Sequence, residues 1–325
     1  MSAIMTIENL KTYFLVGKEK GEPINVKAVD GVDLEIKKGE VMGLVGESGS
    51  GKSTLAYTVM GMYAPTSGRI TFQGQDISKS SSMRPLALKK DLQIVFQDPG
   101  SSLNPRQNVR QILELPLRVH RVVSETEMEK QVAAILQRVE LPPHYMYKSP
   151  VSMGGGERQM ISIARALATD PAFVILDEPT SALDVSIQAK IINMLLKLQE
   201  DNDLTYLFIT HDLSLMRNIA TRVAIMYLGK ICEMADSVEF FRSPLHPYTR
   251  MLLSSIPVVS DEEEALKPEK IVSTGEIPSP VNIPPGCSFH LRCPEKMDVC
   301  SRVDPVMVEA RPGHNVRCHL YHKEG

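Results

Sequence analysis

The chain has 325 residues, 43% of them hydrophobic and 23% charged, the composition of a globular protein with room for one large domain and a smaller one. A formal charge of −3 gives no bulk positive field with which to hold nucleic acid. No apolar run reaches the roughly twenty residues of a membrane span, and the start MSAIMTIENLKTYF lacks the basic-then-apolar pattern of a secretory signal. The expected setting is the cytosol, where thiols are normally reduced and disulfides are the less expected use of cysteine.

Residues 4 to 90 read as short strands and turns around one glycine-rich segment. Val41 to Val45 is a brief apolar run, expected to be a buried strand. Gly46-Glu-Ser48-Gly49-Ser50-Gly51-Lys52-Ser53-Thr54 follows, and Leu55, Val59 and Met62 then recur at helical spacing. Strand, G-x-x-x-x-G-K-[ST] and helix together specify a phosphate-binding loop. Its glycines let successive backbone N–H groups turn toward phosphate oxygens, and the helix that begins there adds the positive end of its dipole. Lys52 can reach the β- and γ-phosphates, and the Ser53 hydroxyl can ligate Mg²⁺. The segment GRITFQGQDI reads as a hairpin with Gly74 in its turn.

Between residues 100 and 165 the pattern changes to amphipathic helices, NVRQILELPLRV and EMEKQVAAILQRVEL, the second carrying Val132, Ile135, Leu136 and Val139 on one face. A helix is expected over Glu157 to Ala168, behind a run of glycines. Phe173 to Leu176 is an apolar strand that ends in Asp177 and Glu178. Carboxylates at the C-terminal end of such a strand lie where open α/β sheets bind ligands. Asp177 is placed to hold Mg²⁺, and Glu178, one residue on, to polarise a water. Ile187, Ile191, Met194, Leu195 and Leu198 form a helical stripe with a packing role. VAIMYLGKICEM reads as a hairpin turning at Gly229-Lys230, with Cys232 as a small buried hydrophobe.

The last third contains the acidic stretch SDEEEALKPEK, an expected exposed linker, and a loop-rich region from 274 to 287. Four cysteines follow, Cys287, Cys293, Cys300 and Cys318, separated by five, six and seventeen residues. Neither the common zinc spacing nor the ferredoxin runs match, so spacing says only that four thiolates could meet around a metal or cluster. His290, His314 and His319 are expected at the surface rather than as ligands.

The motifs ESGSGKST, VFQDP, GGGERQMISIARALA, ILDEPTSALD and FITHDLSL stand in the order found in ABC transporter ATPases, and the chain resembles that family over about residues 4 to 240. The resemblance implies an α/β fold: a P-loop NTPase (RecA-like) core, an antiparallel β subdomain, an α-helical signature subdomain at about 98–165, and a small C-terminal cysteine-rich extension. It implies a domain over 1–240 and an extension over 241–325. It also implies an ATPase that pairs head to tail with a second ATPase subunit, each ATP lying between one phosphate loop and the partner's signature motif. Gln97 resembles the glutamine that contacts Mg²⁺ and the attacking water. His211 resembles the switch histidine at the γ-phosphate, Asp184 the loop that links the two sites, and Tyr13 the aromatic that stacks on adenine. Met153-Gly154-Gly155-Gly156-Glu157 aligns with the common L-S-G-G-Q signature, so Gly154 stands where the family has serine and Ser152 lies two positions before it. That departure implies a heterodimer with unequal sites.

RSPLHPYT and the GCSFHLRCP…C…PGHNVRCHLY tail resemble the C-terminal extension of oligopeptide/dipeptide importer ATPases, some of which carry a [4Fe–4S] cluster on four such cysteines. A cluster, zinc, or an empty or disulfide-linked tail are the three readings. The resemblance implies uptake of short peptides, at the cytoplasmic face of the membrane, with two transmembrane permease subunits and an external solute-binding protein. FQDPGSSLNPR points to the second of the two ATPase types that pair in such importers. Nickel or an oligosaccharide as cargo, or a soluble ABC ATPase of DNA repair or translation, are the alternatives; the latter usually have two ATPase domains in one chain or a basic face.

Overall fold

The computed structural model describes residues 2–19, 21–256 and 275–322, so the acidic stretch SDEEEALKPEK lies outside the described residues. In chain order the elements begin β1 (Ala3–Glu19), β2 (Glu22–Lys37), β3 (Val41–Val45), α1 (Lys52–Val59), β4 (Ser67–Phe72) and β5 (Gln75–Asp76). Next come α2 (Leu86–Asp91), β6 (Leu92–Val95), α3 (Pro99–Ser102), α4 (Val109–Val119), α5 (Met128–Arg138), α6 (Gly155–Leu167), β7 (Phe173–Asp177) and α7 (Val185–Asn202). The chain continues through β8 (Thr205–Thr210), α8 (Leu213–Ile219), β9 (Arg222–Tyr227), β10 (Lys230–Asp236), α9 (Ser237–Arg242), α10 (Pro247–Ser254), β11 (Val308–Arg311) and β12 (His314–Val316). No helix among the described residues is long and apolar enough to cross a membrane.

One compact unit is built mainly from Lys37–Glu40 and Ser80–Ile209. Its strands β6, β7 and β8 run parallel, with Leu92 opposite Phe173 and Phe173 opposite Thr205. Strands β7 and β8 are buried along their whole length, which is why they read as continuous apolar runs rather than alternations. Helices α4, α5 and α6 pack on one another. Val132, Ile135, Leu136 and Val139 are all buried, as the helical pattern predicts. Asn108 starts α4 with a reciprocal cap: its carboxamide oxygen accepts the Gln111 N–H at 2.9 Å, and Gln111 Oε1 accepts the Asn108 N–H at 3.0 Å. On α7 the stripe Ile191, Met194, Leu195 and Leu198 is buried, with Ile187 half-buried.

The other unit takes Ala3–Ile36, Val41–Lys79 and the described residues from Thr210 onward. It holds a sheet in the order β2-β1-β4-β5, with β1–β4 and β4–β5 antiparallel, and a second array in the order β11-β12-β10-β9-β3. In that array β3 runs parallel to β9, and the other pairs are antiparallel. The phosphate-loop strand and the C-terminal hairpin are thus strands of one array.

Two local readings change. Strands β1 and β2 are 17 and 16 residues long, not short. The register of β1 on β4 shifts between Glu8 and Lys11, where Asn9 takes φ 43°, so a bulge bends one long strand that would otherwise break. The β9–β10 hairpin turns at Leu228-Gly229, one residue before the predicted place, with Tyr227 opposite Lys230. Leu228 (φ 42°) and Gly229 (φ 82°) occupy the two left-handed positions of a tight turn, and a leucine at the first of them hides the signal. The β4–β5 hairpin turns where predicted, on Gln73 and Gly74.

The histidines also need correction. His314 is fully buried and His290 is 6% exposed, so neither is a surface residue. His314 Nε2 lies 2.7 Å from Oε1 of Glu233, whose carboxylate also accepts the N–H groups of Leu245 and His246, both at 2.8 Å. A polar group can be buried when its lone pairs are filled in this way. This buried pair ties β12 to β10 and to the start of α10. His290 Nδ1 meets the Cys287 carbonyl at 2.7 Å, and His319 Nε2 meets the Val303 carbonyl at 2.9 Å.

Candidate active site

The phosphate loop leaves β3 and enters α1. A Cβ at Gly46 would stand 2.2 Å from the Met226 carbonyl oxygen, and one at Gly51 would stand 2.1 Å from that of Ala28. Gly51 also has φ +106°, a conformation side chains resist. Both glycines are therefore required by space, not only by flexibility. Ser48 and Gly49 are exposed at the tip, and Ser50 is buried, its carbonyl accepting the Gly229 N–H at 2.9 Å. Lys52 is buried, and its ammonium donates to the carbonyls of Gly46 (2.7 Å) and Glu47 (3.0 Å) and to Ser50 Oγ (3.3 Å). These are the bonds an arriving anion would replace. Ser53 and Thr54 lie in the first turn of α1, half-buried.

In the same unit, Tyr13 donates its hydroxyl to Asp30, and Lys27 Nζ is 5.9 Å from its ring centroid. Burial first, then the Asp30 carboxylate, pushes the Tyr13 phenol well above its usual range, so it stays protonated. Its neighbour Phe14 packs edge-on against Tyr63, with centroids 5.1 Å apart. His211 is exposed just past β8, while Asp212 turns to cap α8, accepting the Ser214 N–H at 2.9 Å.

In the other unit, Asp177 closes β7 fully buried. Glu178 adopts φ 46°, rare for a residue with a side chain, and its N–H donates to the Ile209 carbonyl at 2.9 Å. Strain of this kind concentrates at functional positions. Glu178 Oε2 accepts from Gln97 Nε2 at 3.1 Å, so the two residues read as water-orienting groups meet directly. Gln97 is exposed, and Asp98 beside it caps α3, accepting the Gly100 N–H at 2.8 Å.

Helix α6 begins at Gly155, two residues earlier than predicted, which makes Gly154 its N-cap. The Gly154 N–H donates to Glu157 Oε2 at 2.9 Å, and the Tyr145 hydroxyl donates to Glu157 Oε1 at 2.5 Å. The Tyr145 hydroxyl, with the Gly154 N–H, holds the Glu157 carboxyl below its ordinary range. Tyr145 has no motif around it, and only the fold reveals its role. A Cβ on Gly156 would meet Ile187 Cγ2 at 2.5 Å and one on Gly155 would meet Leu183 Cδ2 at 3.3 Å, whereas at Gly154 the nearest atom is 3.8 Å away. Ser152 donates instead to the Ser149 carbonyl at 2.8 Å. Asp184 caps α7, accepting the Ile187 N–H at 3.0 Å and the Ser186 hydroxyl at 2.7 Å. The Ser186 hydroxyl, followed by the Ile187 N–H, lowers the pKa of the Asp184 carboxyl.

The five cysteines are free thiols; Cys300 and Cys318 are buried, and Cys287 and Cys293 half-buried. Burial pushes the Cys318 thiol up to about 12, and the nearby Cys287, Cys293 and Cys300 add to the shift. Cys287 is raised to about 11, again by burial first, with Cys300 and Cys293 contributing. The Cys287 N–H donates to the Cys300 carbonyl at 2.9 Å. The backbones of Cys287 and Cys300 are thus joined directly. Among the described residues, no three His, Cys, Asp or Glu side chains are arranged to hold a metal ion.

Because Gly154 has room and an ordinary φ of −67°, Gly154→Ser should fold unchanged. The thermal midpoint of the variant is expected to match that of the wild type within about two degrees; a clear loss would show that residue 154 is constrained by space as Gly155 and Gly156 are.

The family described as ABC transporter matches residues 29–181, and the one described as Oligopeptide/dipeptide transporter, C-terminal region, matches residues 232–300. The chain is 48% identical to the oligopeptide transport ATP-binding protein AppF of Bacillus subtilis, over 98% of this chain and 97% of that protein. It is 40% identical to OppF of Escherichia coli, an oligopeptide transport ATP-binding protein, over 97% of this chain and 95% of that one. The dimeric, post-hydrolysis ATP-binding cassette MJ0796, bound to ADP and phosphate, superposes with a TM-score of 0.63 at 28% identity, covering 72% of this chain and 98% of that one. The chain belongs to the ABC transporter ATP-binding proteins, in the branch that carries the oligopeptide/dipeptide C-terminal region.

Proposed function

We propose that the protein is the ATP-hydrolysing subunit of an importer of short peptides, at the cytoplasmic face of the membrane. The observation that carries this is likeness over nearly the whole chain, tail included, to oligopeptide transport ATP-binding proteins. Its ATPase domain is residues 1–240, with the helical subdomain at about 98–165, and the extension is 241–325. It works with a second ATPase subunit and two membrane permeases, which receive peptide from an external binding protein.

Lys52 and the backbone N–H groups of Gly46, Ser48, Gly49, Ser50, Gly51, Ser53 and Thr54 bind the phosphates of ATP. Tyr13 supports the adenine. Ser53, Asp177 and Gln97 are the Mg²⁺ ligands, directly or through water, and the ion offsets charge on the phosphates. Glu178 polarises the attacking water, Gln97 orients it, and His211 contacts the γ-phosphate. Gly154, Gly155, Gly156 and Glu157, with Asp184, face the partner's nucleotide. The missing serine at 154 favours a heterodimer of unequal sites.

Coupled transport tests this reading. In proteoliposomes with both permeases and the partner ATPase, ATP hydrolysis should rise when peptide-loaded binding protein is added. Lys52→Ala should abolish ATP binding by this chain, and Glu178→Gln should keep binding while lowering hydrolysis at least a hundredfold, the scale of lost general-base assistance. Stimulation by a loaded nickel- or sugar-binding protein instead would reassign the cargo.

Cys287, Cys293, Cys300 and Cys318 are proposed to hold a [4Fe–4S] cluster. Support comes from the resemblance of the tail to the oligopeptide/dipeptide transporter C-terminal region and from four free thiols within one short segment. Such a cluster would supply cross-links that staple a loop-built segment. Anaerobic purification should give four irons and four sulfides per chain, with Cys300→Ser bleaching the iron–thiolate absorbance. Stoichiometric zinc, or no metal, would remove the cluster and leave the ATPase reading standing.

A further inference from the structure

The residue directly before Cys293 is Arg292, and its guanidinium does not point to solvent. Its side chain is only 8% exposed and grips Glu47, the second residue of the phosphate loop, from 245 residues away. The grip is bidentate: Nη1 donates to Oε2 at 2.8 Å and Nη2 to Oε1 at 3.1 Å. Three aromatic rings build the seat. The guanidinium carbon lies 5.9 Å from the Tyr227 ring centroid and 5.8 Å from that of Phe289, and Tyr227 meets Phe289 at 90°. The third ring, Tyr248, is fully buried 4.7 Å from Tyr227, and its hydroxyl accepts the Glu47 backbone N–H at 3.1 Å. The Glu47 carbonyl in turn receives Lys52 Nζ. Backbone and carboxylate of one loop residue are therefore both held by side chains from the C-terminal part of the chain.

Glu47 is an awkward residue for its position. A carboxylate inside a loop that receives a triphosphate repels the ligand unless its charge is offset. Arg292 supplies the offset from a mostly desolvated site, where the attraction is least screened.

We propose that Arg292 is a positioning residue for nucleotide binding: the cysteine-bearing tail neutralises and aims Glu47, and so completes the phosphate loop. This rests on the reading that the loop binds ATP. Arg292 acts through Glu47, the loop residue whose carboxylate it holds. The segment from Cys287 to Cys293 carries it, so displacement of that segment is felt at the loop.

The test is the affinity of the full chain for Mg·ATP, read with a fluorescent ATP analogue, in four proteins: wild type, Arg292→Met, Glu47→Gln, and the double variant. Wild-type binding, abolished in Lys52→Ala, secures the underlying reading first; its absence would sink that reading and this proposal with it, whereas normal wild-type binding lets the Arg292 variants overturn this proposal alone. Arg292→Met should weaken ATP binding about tenfold, with the loss shrinking as salt is raised. Glu47→Gln in the Arg292→Met background should restore affinity to within about threefold of wild type, because the stranded charge is gone. A structural role alone would give no such rescue and no salt dependence. Unchanged affinity in Arg292→Met, or a double variant as weak as the single, would overturn the proposal. Arg292→Lys, which keeps the charge and loses the fork, should fall between wild type and Arg292→Met.

Discussion

Two backbone oxygens, those of Ala28 and Met226, press so closely on the phosphate loop that no side chain fits at Gly51 or Gly46. Everything else in that unit has to respect this wedge. The loop cannot relax outward without breaking the Gly229 N–H bond to the Ser50 carbonyl, and Gly229 is itself a left-handed turn residue of the β9–β10 hairpin. Lys52 fills the wedge from inside, donating to the loop's own carbonyls. Such a cradle is fixed by the protein's own contacts, which limits the ordering left for the phosphates to drive.

The C-terminal region joins the same framework by charge as well as by apolar packing. Phe289 and Tyr248 pack on Tyr227, and Leu245, Val316 and Cys318 form a further small buried cluster. Two polar pairs are also buried or nearly so: the hydrogen-bonded Glu233 and His314, and the ion pair of Glu47 with Arg292. Buried pairs of this kind add little net stability, because desolvation cancels most of the attraction, but they penalise every arrangement that breaks them. They therefore fix where the tail sits on β10 and on the phosphate loop. A loop-built segment that carries four cysteines is held in register in this way.

What could be read from sequence was local. Gly46 to Thr54 announces itself because phosphate binding, a tight turn and a helix start all demand residues within one short window. Phe173 to Asp177 is legible because a doubly covered strand is apolar throughout, and the pair of left-handed residues at Gln73-Gly74 marks its own turn. Leu228 misplaced the next hairpin by one residue, since nothing in a leucine advertises a positive φ. The partners that set the chemistry were not legible. Tyr145 reaches Glu157 across a turn, His314 reaches Glu233 and Arg292 reaches Glu47 across most of a domain, and no spacing rule connects such residues. The buried state of His314 was invisible for the same reason: its acceptor lies on a strand 81 residues earlier.

If the phosphate loop and the cysteine-bearing segment are one electrostatic unit, nucleotide must be felt in both. Hydrogen exchange of the full chain, followed by mass spectrometry with and without Mg·ATP, reads this directly. The account predicts that amides across residues 46–54 and those across 287–293 gain protection together and with the same dependence on ATP concentration. Protection confined to the loop, with the tail exchanging as before, would contradict it.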